Sequence, residues 1–488
     1  MPELPHTFVL SDLHLTEAEP FDPKRPHWKA YKRREFFIDG DVAQLLRWID
    51  QAKLGPAELI LNGDIFDFDN LLAMPKPPPD RLHWLMRLRG LGSEEWMSLF
   101  KIDTIIADHP VFFAALVEFL SPNHKIIFTI GNHDLELHWP SVQNRLRAAI
   151  DPQGVHRAQV VFCNWFYIAG GDTFVSHGSQ YDPYCTVPDG IHPLISVRGR
   201  PRVRIPFGDL ANKYMLNGMG YFNPHATANY IMSGRQYVAF FFRYMVRDQP
   251  FLIWTWFWSA LATLLATLAE FLRPAMRDPL TVEDKVNAIA EKSQATPAMV
   301  RQLAALDVPS ACTRPLMIVR ELWLDRGLLF LGMVYAAFQI VLAINFVWSI
   351  SPLWTLVPLA LLFPLFLSYS FRVKPETFSE PLLTPERAEL IQKITGARFA
   401  VLGHTHMPEL SAVGPLLYCN SGFWSPAFAE PECKTRLGTE TFAWIAPRET
   451  GGRHVSLWQW REGSDHPEPF DMKAKDPPST AIAATPAA

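Results

Sequence analysis

The chain has 488 residues, 49% of them apolar, which is more than one ordinary domain and enough to bury a large core. A formal net charge of -4 gives no basic footprint, so nucleic acid is excluded as a partner. Cys163, Cys185, Cys312, Cys419 and Cys433 are scattered and read as reduced thiols; with no basic, apolar leader in Met1 to Leu10, the expected compartment is the cytoplasm.

Taken along the chain, Thr7-Phe8-Val9-Leu10 is a short apolar run ending at Ser11-Asp12-Leu13-His14. Glu58-Leu59-Ile60-Leu61 leads into Gly63-Asp64, with Asp67 and Asp69 just beyond, and Lys125 to Ile130 leads into Gly131-Asn132-His133-Asp134. Thr173-Phe174-Val175 precedes Ser176-His177-Gly178, and Arg398 to Leu402 precedes Gly403-His404-Thr405-His406. Short β-branched and aromatic runs of this kind predict buried strands. Residues just past the carboxyl ends of such strands gather at one edge of a sheet. Asp, Asn and His offer the hard oxygens and borderline nitrogens that bind divalent metals, yet no single string holds enough of them for two ions. The fold has to assemble the site.

These five strings, in this order and each after a strand, resemble the calcineurin-like metallophosphoesterases over residues 7 to 180 and 398 to 445. The resemblance implies an α/β fold, a four-layer α/β/β/α sandwich. It also implies a binuclear, metal-dependent phosphoester hydrolase, in which Asp12, His14 and His406 hold one metal, Asn132, His177 and His404 the other, and Asp64 bridges them. Two divalent ions are expected, manganese first, with Fe, Zn or Mg as alternatives, and a metal-bridging hydroxide attacks phosphorus. His133 is then the expected catalytic acid or charge stabiliser, with Asp134 orienting its ring or else capping the following helix. Asp67 reads as support for Asp64 or as a turn residue, with Asp69 competing for the role. The Ser-Asp-Leu-His-Leu start and the Gly-His-Thr-His-x-Pro end, closing at Pro408, are similar to the bacterial UDP-2,3-diacylglucosamine hydrolase branch, although that branch carries Arg where His133 stands. Leu416 to Trp424 reads as one more structural strand and turn.

Between His177 and His404 the pattern is interrupted. From Gly327 to Phe371 there is no Asp, Glu, Lys or Arg, a stretch of about 45 residues against the roughly 20 that cross a bilayer once. Leu328 to Val347 and Leu353 to Ser370 predict a helical hairpin turning at Ser349-Ile350-Ser351-Pro352, with Pro358 and Pro364 kinking its second helix. Arg320, Arg326, Arg372 and Lys374 flank both ends and place them on the cytoplasmic side. A third run, Phe251 to Leu268, carries Trp254, Trp256 and Trp258. Because His177 and His404 must meet, the chain between them crosses a membrane an even number of times, so this run predicts an interfacial helix. The alternative for all of these segments is the core of a soluble helical insert.

Elsewhere, Pro75 to Pro79 predicts a stiff loop in a cap, and Arg198, Arg200, Arg202 and Arg204 would face one way on an extended chain. Thr281 to Asp307 predicts amphipathic helix. The expected organisation is 1-180 as the first part of the hydrolase domain, 181-397 as an insert, 398-462 as its second part and 463-488 as a disordered tail. The expected function is a membrane-associated phosphoester hydrolase facing the cytoplasm, with membrane lipids and a phosphoester, lipid or nucleotide-lipid pyrophosphates included, as partners. A membrane-anchored phosphoprotein or small-molecule phosphatase is the first alternative, and a non-catalytic metal-site scaffold the second.

Overall fold

A computed structural model describes residues 5–77, 79, 82–226, 234–276, 281–373 and 381–472. The chain begins β1 (His6–Leu10), α1 (Asp39–Gln51), β2 (Ala57–Asn62), α2 (Trp84–Arg89), α3 (Glu95–Asp108) and α4 (Pro110–Phe119). It continues β3 (His124–Thr129), α5 (Pro140–Ile150), β4 (Val160–Phe162), β5 (Phe166–Ala169) and β6 (Thr173–Ser176). A hairpin, β7 (Leu194–Val197) and β8 (Arg200–Val203), is followed by α6 (Phe207–Tyr214), α7 (Gly234–Phe240) and α8 (Leu252–Leu272). Next come α9 (Val282–Lys292), α10 (Pro297–Ala304), α11 (Pro315–Glu321), α12 (Leu324–Asn345), α13 (Leu356–Arg372) and α14 (Pro385–Thr395). The last part is strand: β9 (Phe399–Leu402), β10 (Glu409–Val413), β11 (Leu416–Asn420), β12 (Thr441–Pro447), β13 (Arg453–Gln459) and β14 (Glu468–Pro469).

Two sheets face each other, in the orders β14-β13-β12-β1-β2-β3-β4 and β10-β11-β9-β6-β5. β1, β2, β3 and β4 run parallel, as do β6, β9 and β11, so both sheets bring carboxyl ends to a common edge. Alternation along the strands builds the layers. Val9 points with Ile60, Ile127, Val175 and Val401 into the space between the sheets, while Phe8 and Leu10 point outward among Val42, Ile102, Leu116 and Leu146 of α1, α3, α4 and α5. Strands buried on both faces must be apolar throughout, which is why these runs read so clearly. Each fully buried Val, Leu, Ile or Phe stabilises the fold by about 1.5–3 kcal/mol.

The outer face of the second sheet is covered by segments from 181-397. Val286 and Ile289 of α9, Val300 and Leu303 of α10, and Ile391 of α14 pack on Phe174, Ala400 and Leu402. The fold is therefore the expected α/β/β/α sandwich, with part of its fourth layer supplied from between the two halves. Thr281 to Asp307 forms two helices rather than one, because Pro297 opens α10 and Thr296 Oγ1 accepts the Met299 N–H at 3.2 Å. At the other end, Glu468–Pro469 pairs with β13 inside the segment expected to be a disordered tail, and residues 473–488 lie outside those described. The expected cap loop at Pro75 to Pro79 falls partly outside them as well.

The arginine series does not share a face. Arg198 and Arg200 are exposed at the β7–β8 turn, Arg202 pairs with Glu270, and Arg204 is buried with a donated bond of 2.9 Å to the Arg273 carbonyl. Their register on a two-stranded hairpin, not their spacing, sends the last two under α8.

Three helices among the described residues are long and apolar enough to cross a membrane: Trp254–Leu272, Leu324–Asn345 and Pro352–Arg372. The last two form the expected hairpin. Its turn is closed by Asn345, whose side chain donates to the Ile350 carbonyl and accepts from the Ile350 N–H, both at 3.1 Å. Its base is latched by Tyr369, which donates to Asp325 at 2.8 Å, and by Arg326, which donates to the Val373 carbonyl. Pro364 lies inside α13, but Pro358 falls in the first turn, where a missing N–H interrupts no helical bond.

Candidate metal centre

All five strings end at one edge of the sandwich, and the backbone laces them together. Asp12 N–H donates to the Gly63 carbonyl at 3.1 Å, His14 N–H to the Asp64 carbonyl at 2.9 Å, and Gly403 N–H to the His177 carbonyl at 3.0 Å. The approach is close enough to demand glycine. A Cβ on Gly63, at φ +76°, would stand 2.5 Å from the His177 ring, and one on Gly131 would stand 2.3 Å from Asp64 Oδ1. Asp12, His14, Asp64, His404 and His406 all adopt positive φ, between 50° and 69°. Such conformations cost about 1 kcal/mol or more each in non-glycine residues and persist where surrounding structure imposes them.

Two groups of donor atoms result. In the first, His14 Nε2 and His406 Nε2 are 3.2 Å apart, His406 Nε2 and Asp12 Oδ1 3.2 Å, and His14 Nε2 and Asp12 Oδ1 3.9 Å. Bonds of about 2.1 Å to a shared cation place neighbouring donors roughly 3–3.5 Å apart, so this triangle fits one ion. In the second, Asp64, His177 and His404 converge, with His177 Nε2 3.1 Å from Asp64 Oδ2. His177 Nδ1 lies 3.0 Å from the Asn62 carbonyl, which can only accept, so Nδ1 holds the proton and Nε2 keeps its lone pair. Asn132 Nδ2 donates to Asp209 Oδ1 at 2.9 Å, which aims the amide oxygen into the site.

Charge and satisfaction both point to cations. Asp12 Oδ1, Asn132 Oδ1 and His177 Nε2, all aimed into the site, are buried without hydrogen-bond partners. Burial, and then the neighbouring Asp64, push the Asp134 carboxyl up to about 7; burial and Glu136 do the same to Asp69. This surplus of buried carboxylate is what divalent ions relieve. Burial and His225 keep His14 well below its ordinary pKa, hence neutral, the form that binds metal.

His133 sits beside this cluster. Burial alone would lower its pKa, but Asp209, Asp64 and Asp67 carry it well above the ordinary value. Asp67 Oδ1 lies 3.4 Å from Nδ1 and Asp209 Oδ1 3.6 Å from Nε2, with Asn212 Nδ2 at 3.3 Å from the latter. Asp134 does not orient the ring as expected. Its carboxylate instead accepts the Gly131 and Ile65 N–H groups at 2.6 and 3.0 Å, tying two loops of the site together. The side chain is consumed by the backbone that its own turn leaves unpaired. Asp67 likewise serves histidines rather than Asp64, reaching His133 with one oxygen and His225 Nε2, at 3.3 Å, with the other.

Sequence reasoning missed four residues that complete the surroundings. Asp209 and Asn212 come from α6, Asp182 lies 2.9 Å from His404 Nε2, and His225 stacks on His14 with ring centroids 3.8 Å apart. None sits after a strand or in a motif, so no local signal marks them. Residues 5–217 match the family model described as calcineurin-like phosphoesterase, a match that ends before His404 and His406. No curated protein matches the chain.

Proposed function

We propose that the chain, whose residues 5–217 match the calcineurin-like phosphoesterase family model, is a metal-dependent phosphoester hydrolase in which Asp12, His14 and His406 hold one divalent cation, Asn132, His177 and His404 a second, and Asp64 serves both. The observation that carries this is the set of orphaned donors converging around Asp64. When bound, such a pair of cations acidifies water and neutralises phosphoryl oxygens. The protein's own residues do the rest. His133, held protonated by Asp67 and Asp209, is placed to give a proton to the leaving oxygen. Asp209 also fixes the Asn132 amide, so one carboxylate positions both a ligand and the acid.

The chain works at a membrane, with the hairpin α12–α13 as its anchor and the hydrolase domain on the cytoplasmic side. The uncharged surface of the hairpin and the arginines at its base support this. A substrate whose phosphoester or pyrophosphate is carried on a lipid fits an active site held at that distance. A panel of phosphomonoesters, diesters and lipid pyrophosphates in detergent, each with Mn²⁺, Mg²⁺ and Zn²⁺, tests the reading. Hydrolysis of the lipid-borne members above the soluble ones is expected, and equal rates would remove the lipid preference while leaving the hydrolase.

A further inference from the structure

We infer that α8 is a docking surface for the lipid headgroup layer, lying flat on the bilayer between it and α6, and is not a third membrane span. The inference rests on the proposal that α12–α13 is a membrane hairpin, and carries it further.

By length and composition α8 could cross a bilayer. Its ends forbid it, because both are bound to the hydrolase domain. Before the helix, Gln249 donates to the Gly218 carbonyl at 2.6 Å, and Met245 is buried with Met219, Tyr221 and Phe222. After it, Arg204 donates to the Glu270 and Arg273 carbonyls, Met276 N–H donates to the Leu194 carbonyl at 2.9 Å, and Ala275 bridges to Ile195. A helix of this length, about 1.5 Å per residue, cannot leave one side of a membrane with both ends held on that side.

Its faces are reversed from those of a helix on a soluble domain. The side against the domain carries small residues, Ser259, Ala260, Thr263 and Thr267, all buried, beside half-buried Trp256 and Leu264 and buried Glu270, and the two threonine hydroxyls donate to the carbonyls four residues back at 2.8 Å. Trp254, Trp258, Leu265 and Leu272 lie about 180° away around the axis at 100° per residue, and their exposures are 60%, 50%, 58% and 76%. No charge interrupts this outer face. Two exposed tryptophans in line with leucines, with Arg247 exposed ahead of the helix, match the headgroup zone of a bilayer with anionic lipid. Leu324 at the base of α12 packs in one cluster with Ala260, Trp256 and Phe257 of α8, so a membrane holding the hairpin lies near this helix.

The consequence for chemistry runs through α6. Phe207 of α6 packs with Ala260, Trp256 and Leu264 of α8, while Asp209 and Asn212 of the same short helix hold Asn132 and His133. Only one helix separates the bilayer surface from the groups that position the catalytic histidine.

The test uses the full chain, cysteine-free, in vesicles of phosphatidylcholine and phosphatidylglycerol. Single cysteines replace Arg247, Trp254, Trp258, Met276, Ser351 and Glu389, each variant first shown to melt as the parent does. Impermeant maleimide should reach positions 247, 276 and 389 from the same side, and position 351 from the other. An environment-sensitive dye at positions 254 and 258 should lose emission when the vesicles contain headgroup-level quencher lipid, and a dye at position 389 should not. Positions 247 and 276 reacting from opposite sides would show a span and overturn the inference. Unquenched dye at 254 and 258 while Ser351→Cys still labels from the far side would overturn it too, with the hairpin intact. Failure at position 351 as well would remove the hairpin proposal on which it stands.

Discussion

Asp67 holds His133 from behind, its Oδ1 3.4 Å from the ring Nδ1, while its other oxygen holds His225. Together with Asp209 it raises the His133 pKa, against the effect of burial. A general acid works only while protonated, so activity falls as pH rises through that raised value. Asp67→Asn removes one of the charges that raise it. The alkaline limb of the pH–rate profile for kcat should move to lower pH, and an unmoved limb would mean that His133 is not the titrating acid.

His133→Ala should leave both cations bound and the fold intact, yet lower kcat by about 10². Metal analysis beside steady-state kinetics separates loss of the acid from loss of the site.

Asp64→Asn should behave differently. The carboxylate stands 3.1 Å from His177 Nε2 and accepts the His133 N–H at 2.8 Å, so one lost charge weakens both cation positions at once. Metal content of the purified variant should fall at both positions, and full occupancy would displace Asp64 from the centre.

Gly131→Ala tests the packing of the loops. Its Cβ would meet Asp64 Oδ1 at 2.3 Å and Asp64 N at 2.6 Å, and the second contact is backbone that cannot swing aside. Overpacking of this kind costs about 1–3 kcal/mol, so the melting temperature should drop and activity be lost beyond what the unfolded fraction explains. An unchanged melt would show that the loops are looser than drawn.

His225→Ala removes the ring stacked on His14 at 3.8 Å and leaves Asp67 with one histidine. Loss of an outer partner of this kind typically costs about 10–100-fold. His225→Gln, which can still reach Asp67, should recover part of the loss; equal defects in both would assign the effect to the stacking alone.

The amino-acid sequence by itself determined the two sheets and the donor strings at their edge. Strands buried on both faces have to be unbroken apolar runs, and Asp12, Asp64, Asn132, His177 and His404 each follow one within a few residues. It predicted the helical hairpin as well, from about 45 residues without a charge divided at Ser349 to Pro352. Only the tertiary structure decided what surrounds His133. Asp209, Asn212 and His225 reach it from 76, 79 and 92 residues further along the chain, and nothing in a local pattern records a long-range neighbour. It also decided where Asp134 points, because the N–H groups of Gly131 and Ile65 take up its carboxylate. The orientation of α8 belongs with these. A sequence gives the helix two faces, but which one meets the protein depends on Arg204, Met276 and Gln249 fastening its ends.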